Sequence, residues 1–213
     1  NPYYPDQPSR FLDWRRHGWV NLTSAIAQSS NVYFYVVGGG FGDIKGLGIN
    51  RLYDWWRRFN LGSLTGIDLP YEAEGLLPDA EAKRDRTGEP WRLGDTYNVS
   101  IGQGDLLVTP IQLLNYVSAL ANGGIMYRPS ITSEFNSPKV IQDLREFLPE
   151  IKEVQNGMMM AVESPLGTAY IMDDLPFTVA AKTGTAQVLN KTQENAFFVG
   201  YAPASAKASA VDP

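Results

Sequence analysis

The chain has 213 residues, 44% hydrophobic and 12% aromatic, with a formal net charge of −5, one histidine and no cysteine. That is globular composition of a length for one large domain or two small ones. The acidic balance excludes the basic footprint of a nucleic-acid binder. The lack of cysteine excludes disulfides, thiolate catalysis and cysteine metal sites, and the lone His17 cannot build a multi-histidine site.

No stretch reads as a membrane span. Val32 to Val37 is too short, and Leu106 to Met126 is broken by Thr109, Pro110, Gln112 and Asn115. Residue 1 is Asn rather than Met, so the N-terminus of the protein is expected upstream.

Along the chain, Asn1 to Arg10 is a Pro-rich arm. Trp19 to Val37 has a helical pattern that opens on Asn21 as N-cap. It is interrupted at Gln28-Ser29-Ser30-Asn31 and stops at Gly38-Gly39-Gly40. Ile49 to Asn60 is the cleanest amphipathic helix, with Ile49, Leu52, Tyr53, Trp56 and Phe59 on one face and Gly62 ending it. Tyr71 to Thr96, rich in charge, Pro and Gly, predicts a long excursion with little regular structure.

Thr109, Pro110 and Gln112 form the N-cap, N1 and N3 signature of a helix running to Asn122. Its expected inward stripe is Ile111, Leu114, Val117 and Ala121. Glu150 to Glu163 is a further helix, with Ile151, Val154, Met158 and Val162 inward. Two strands follow, Phe177 to Gln187 and Ala196 to Ala202, separated by a polar loop over Leu189 to Asn195. Ala204 to Ala210 is low-complexity.

Two short motifs can carry chemistry. Ser29-Ser30-Asn31 sits at the break in a helical pattern, where a polar cluster can face a cleft. Lys182-Thr183-Gly184 lies in a strand, where the glycine lets a substrate backbone approach. Each alone has a bland reading, as a helix cap or as a surface lysine. Together they resemble the S-x-N and K-T-G elements of penicillin-recognising serine enzymes, in that enzyme class's order. His17 reads as structural, and Gly38 to Gly42 matches no phosphate-binding pattern.

The wider match extends the pattern. It runs through His17-Gly18-Trp19-Val20-Asn21-Leu22, the Ser29 to Tyr35 stretch, and Gly94-Asp95-Thr96. Ser100-Ile101-Gly102-Gln103-Gly104, Thr109-Pro110 and Ala121-Asn122-Gly123-Gly124 come next. Gly167-Thr168-Ala169, Lys182 to Gln187 and Phe198 to Pro203 complete it. From about His17 to Pro203 the chain resembles the transpeptidase domain of class B penicillin-binding proteins, nearest the elongation-type penicillin-binding protein 2 subgroup.

The resemblance implies an α+β, β-lactamase/transpeptidase-like fold: an antiparallel sheet flanked by helices, plus a mostly helical subdomain. It implies serine-type D,D-transpeptidation in peptidoglycan cross-linking, with no cofactor and no metal. The implied partners are stem peptides, β-lactam antibiotics and membrane proteins of the wall-elongation machinery. The implied location is the outer side of the bacterial cytoplasmic membrane.

By the same resemblance, Ser29 passes a proton toward the leaving amine, and Asn31 donates its amide to a substrate carbonyl. Lys182 holds positive potential toward the substrate carboxylate, which Thr183 and Thr185 bind. The Thr185 N–H is an oxyanion donor, and Gly184 keeps the strand open.

One element is missing. No serine or threonine in the chain is followed by lysine three residues later, so no S-x-x-K nucleophile is present. Residues 1–213 are therefore expected to be a partial domain. The S-x-x-K segment should lie upstream and a further strand and helix downstream, and the chain alone should not acylate. Alternative readings on the same fold are a β-lactam sensor or hydrolase, for which Glu72, Glu74 and Glu81 are loop carboxylates to check, or a non-catalytic interaction module.

Overall fold

The computed structural model describes residues 9–132, 138–188 and 193–203. Most of the expected N-terminal arm, residues 189–192 of the polar loop and the Ala204 to Ala210 run lie outside the described residues. The described residues form seven α-helices: α1 Leu22–Gln28, α2 Asn31–Gly39, α3 Gly48–Arg58, α4 Ala80–Thr87, α5 Leu93–Ser100, α6 Pro110–Ala121 and α7 Leu148–Glu163. Four strands, β1 Ile125–Tyr127, β2 Val140–Asp143, β3 Ala180–Val188 and β4 Gln193–Tyr201, make two antiparallel pairs, β1–β2 and β3–β4. In the second pair Lys182 faces Val199 and Thr185 faces Ala196. No helix among the described residues is long and apolar enough to cross a membrane.

The core joins α1, α6 and α7 to the start of β3. Ile26, Val117, Leu120, Leu144, Ile151, Met158 and Ala180 are packed together. A smaller cluster of Val162, Ala169, Val179 and Ala181 sits between α7 and β3. Helix α1 meets α7 where Gly157 has no side chain: a Cβ there would stand 2.8 Å from the Ile26 Cβ. This close approach sets how near α1 comes to the strand that α7 supports.

The helix break falls at Ser29. Asn21 caps α1 in a capping box with Ser24, and Ser29 ends the helix in the left-handed region at φ 56°. Ser30 then caps α2. Asp13, outside both helices, completes the junction. Its carboxylate accepts from Ser30 Oγ at 2.8 Å and from the N–H groups of Asn31 and Val32 at 3.1 Å each. It thereby neutralises the positive end of α2.

Three expectations are corrected. Helix α2 does not stop before the glycines but runs through Gly39, because only glycine fits there. A Cβ on Gly38 would fall 1.7 Å from Ser100 Oγ, and one on Gly39 would fall 2.4 Å from the Tyr97 ring. The Tyr71 to Thr96 excursion holds α4 and the start of α5. Asp79 caps α4 by accepting from the Glu81 and Ala82 N–H groups, and Asp95 accepts from the Arg92 N–H at the start of α5. Helix α6 is rotated from the expected stripe: Leu114 is 60% exposed, while Gln112 and Asn115 are buried. Gln112 tolerates burial because its amide is satisfied, donating to Ser63 O and Glu74 O at 2.8 Å and accepting from the Thr109 N–H at 2.9 Å.

Gly157→Ala is expected to destabilise the protein by about 1–2 kcal/mol, because overpacking against Ile26 outweighs the gain in helix propensity; the urea midpoint measures it. Asp13 generates a pH prediction. Burial raises its pKa, but the hydrogen bonds from Val32, Ser30, Asn31 and Trp14 outweigh that and hold it below 3.8. Its folded pKa being depressed, its stabilisation is complete above pH 3.8 and fades as pH falls through the lowered value. Asp13→Asn should therefore lower the denaturation midpoint at pH 7, and the difference from wild type should shrink as pH falls below 3.8.

Candidate active site

The site is built where the break after α1 faces β3. The left-handed conformation of Ser29 is held by its own N–H, which returns to Ala25 O and Ile26 O. The carbonyl of Ser29 accepts from Trp14 Nε1 at 3.0 Å. A non-glycine residue in this region is disfavoured and persists where its surroundings fix it. The effect is to aim Ser29 Oγ at β3.

Lys182 meets it. Its Nζ donates to Ser29 Oγ at 2.7 Å and to Thr183 O at 2.6 Å, joining residues 153 apart in sequence. Burial pushes the Lys182 amine down to about 8. At pH 7 it stays mostly protonated and donates to the hydroxyl it touches.

Thr183 points its hydroxyl at Thr168, donating at 2.7 Å. Thr168 in turn donates its N–H to Ala27 O at 3.1 Å. The two threonines tie β3 to the last turn of α1, beside Ser29. Gly184 and Thr185 are exposed on the strand. A Cβ at Gly184 would touch only Phe197, at 3.7 Å, so what glycine leaves open there is the surface of β3. Asn31 is half-buried at the first position of α2, with its N–H on Asp13. Among the described residues its side-chain amide has no hydrogen-bond partner, two residues from Ser29.

Four residues at or behind the site were given no role from sequence: Asp13, Trp14, Thr168 and Gln103. Gln103 Nε2 donates to Thr185 O at 2.8 Å, and its Oε1 accepts from the Gln187 N–H at 3.3 Å. Its place between two glycines was the available signal. His17 is buried, with Nε2 3.1 Å from Asp13 Oδ1 and Nδ1 3.3 Å from Gln28 Oε1; it buttresses Asp13 behind the helix junction. Glu72 is occupied elsewhere, accepting from Thr65 N–H at 2.7 Å, Thr65 Oγ1 at 2.6 Å and Gly66 N–H at 3.0 Å. Glu81 lies in the first turn of α4.

A hydroxyl against a half-buried lysine, an amide two residues away and an exposed strand with a glycine make an arrangement chemically suited to acyl transfer on an extended peptide. The family model for the penicillin binding protein transpeptidase domain matches residues 1–211, and the chain belongs to that family. Within the family it is of the class B, penicillin-binding protein 2 type.

The chain is 34% identical over 196 residues to the peptidoglycan D,D-transpeptidase MrdA of Escherichia coli K12, covering 86% of this chain and 30% of that protein. It is 30% identical over 237 residues to MrdA of Acinetobacter baumannii, covering 95% and 33%. Among solved structures, penicillin-binding protein 2 of Helicobacter pylori superposes with a TM-score of 0.79 at 34% identity, over 90% of this chain and 35% of that one. The Pseudomonas aeruginosa protein, in complex with WCK 5153, superposes at 0.77 with 33% identity, over 92% and 45%. The chain thus spans about a third of the length of the curated relatives it matches.

The lowered pKa is directly measurable. An amine-reactive reagent applied across a pH series, with modified peptides counted by mass spectrometry, should modify Lys182 with a midpoint near pH 8 rather than the ordinary lysine value of 10.5.

Proposed function

We propose that these residues form two walls of the cleft of a serine-type D,D-transpeptidase that cross-links peptidoglycan stem peptides and is acylated by β-lactams. The observation that carries this reading is the 2.7 Å contact between Lys182 Nζ and Ser29 Oγ. The reaction needs a nucleophilic serine, and no S-x-x-K element occurs in this sequence; we assign it to another segment of the whole protein.

In this reading that serine attacks the carbonyl of the penultimate D-alanine as its proton passes to the lysine of the same S-x-x-K element, which later returns it by way of Ser29. The tetrahedral oxyanion accepts a hydrogen bond from the Thr185 N–H. As the bond to the terminal D-alanine breaks, its amine nitrogen takes a proton through the Ser29 hydroxyl. Lys182, already hydrogen-bonded to that oxygen, balances the charge. The Asn31 amide holds a substrate backbone carbonyl. The positive potential of Lys182 and the hydroxyls of Thr183 and Thr185 bind the terminal carboxylate; for Thr183 this means exchanging its bond to Thr168. An incoming amine on a second stem peptide then attacks the acyl-enzyme, forming the cross-link and freeing the serine.

The partners follow from the same reading: stem peptides, β-lactams and membrane proteins of wall elongation. Two solved relatives support this. The H. pylori penicillin-binding protein 2 was also determined in complex with MreC, and a relative at 30% identity belongs to a peptidoglycan synthase complex of coordinated polymerization and crosslinking. Such a protein acts outside the cytoplasmic membrane, held to it by a segment other than the described helices. Engagement of Glu72 by the Thr65–Gly66 turn argues against that carboxylate as the deacylating base of a hydrolase.

Fluorescent penicillin tests the reading on the full-length protein that contains these residues. A single stable covalent adduct is expected, and Ser29→Ala should slow transpeptidation by about 100-fold, the low end of what a lost proton-transfer group costs. No adduct under native conditions overturns the proposal, and rapid release of hydrolysed drug points instead to a hydrolase.

A further inference from the structure

Gln103 makes a pairing that the reaction above does not use. Its side-chain amide lies along the edge of β3, donating to Thr185 O at 2.8 Å and accepting from the Gln187 N–H at 3.3 Å. In an antiparallel ladder, alternate residues turn both backbone groups to the partner strand and the residues between them turn both away. Residues 183, 185 and 187 therefore direct their N–H and C=O groups away from β4, along the open edge. A carbonyl and the N–H two residues on are the pair that one residue of an added parallel strand would engage. The Gln103 carboxamide satisfies the same pair with one side chain.

The clamp is anchored at its base. Gln103 stands between Gly102 and Gly104, at φ 76° and 78°, and its N–H returns to Asn98 O at 2.9 Å in the last turn of α5. One stop upstream, Lys182 Nζ occupies Thr183 O at 2.6 Å. Both outward carbonyls flanking the Thr185 N–H are thus taken by side-chain donors. What this stretch presents between them is a donor, suited to an oxygen that gathers negative charge.

We infer that Gln103 is a positioning residue for acyl transfer: its carboxamide bridges Thr185 O and the Gln187 N–H on the β3 edge and so fixes the direction of the Thr185 N–H. The inference rests on the transpeptidase reading. The backbone N–H and C=O of Thr185 point to the same side of the strand, so holding the C=O holds the N–H. A misplacement of about 1 Å in such a group can cost on the order of 100-fold in rate.

The test uses the full-length protein, with Gln103→Leu and Gln103→Glu compared to wild type. Acylation by fluorescent penicillin is resolved into a binding constant and a limiting rate constant, and hydrogen exchange is followed at the Gln187 amide. Gln103→Leu should lower the limiting rate about tenfold or more with little change in binding, and the Gln187 amide should exchange faster. Gln103→Glu keeps an acceptor for Gln187 but sets a carboxylate oxygen against Thr185 O. It should keep the exchange protection and still lose rate, and it decides the matter alone if the leucine variant does not fold.

Wild-type rates in both variants beside a normally labelled wild type overturn the inference and leave the function standing. Weakened binding at an unchanged limiting rate also overturns it, since the side chain would then serve ground-state affinity. A wild type that takes no label removes the functional reading and this inference with it.

Discussion

A half-buried amine must find acceptors, and that requirement ties the end of a helix to a strand in this fold. Lys182 loses part of its solvent where β3 faces the end of α1, and its pKa falls because the charged form is penalised there. Ser29 Oγ and Thr183 O are the oxygens that offset the loss. For Ser29 to be one of them, the end of α1 must lie against β3. Helix α1 reaches that position by packing on α7 at the glycine beneath Ile26, while α7 also packs on β3. The threonine pair Thr183–Thr168 locks the same approach from the strand side. Packing that places a helix end thus also sets the charge state of the site.

The junction between α1 and α2 is held from outside by an irregular segment. Asp13 gives its carboxylate to the α2 N-terminus, Trp14 holds the Ser29 carbonyl, and His17 stands against Asp13. None of these groups needs to touch a substrate. They keep a serine in a conformation it would not choose and fix the first turn of α2, where Asn31 begins the helix.

Much of this was legible from residue order. The Asn21 cap, the Thr109-Pro110-Gln112 signature, the α7 face and the strand carrying Lys182 are local patterns, and local physics decides them. Reading failed where distant residues decide. Gly38 and Gly39 punctuate a helix in isolation, but Ser100 and Tyr97 lean into the space they leave and keep them inside α2. Leu114 fits an apolar stripe, yet Gln112 takes the buried position because Ser63 and Glu74 carbonyls wait for its amide. The charged Tyr71 to Thr96 stretch hid one helix and the start of another, whose signals, Asp79 at the N-cap of α4 and Asp95 at the third position of α5, are visible only when each is read as a start signal. At the site, the motif residues were readable from their resemblance to a family. Thr168 and Gln103 needed coordinates, since nothing in their neighbourhood says which strand they meet.

The separation of 153 residues between Ser29 and Lys182 also gives the cleft a history. A ribosome adding about 5–20 residues per second reaches the lysine roughly 8–30 s after the serine. Through that interval the α1–α2 junction exists without the strand that completes it. Helix α2 can meet α5 sooner, since Tyr97 and Gly40 are 57 residues apart, whereas the Ser29–Lys182 contact closes a loop of 153 residues and comes later. A nascent chain therefore carries Ser29 well before the lysine that it meets, and the candidate site closes only when β3 arrives.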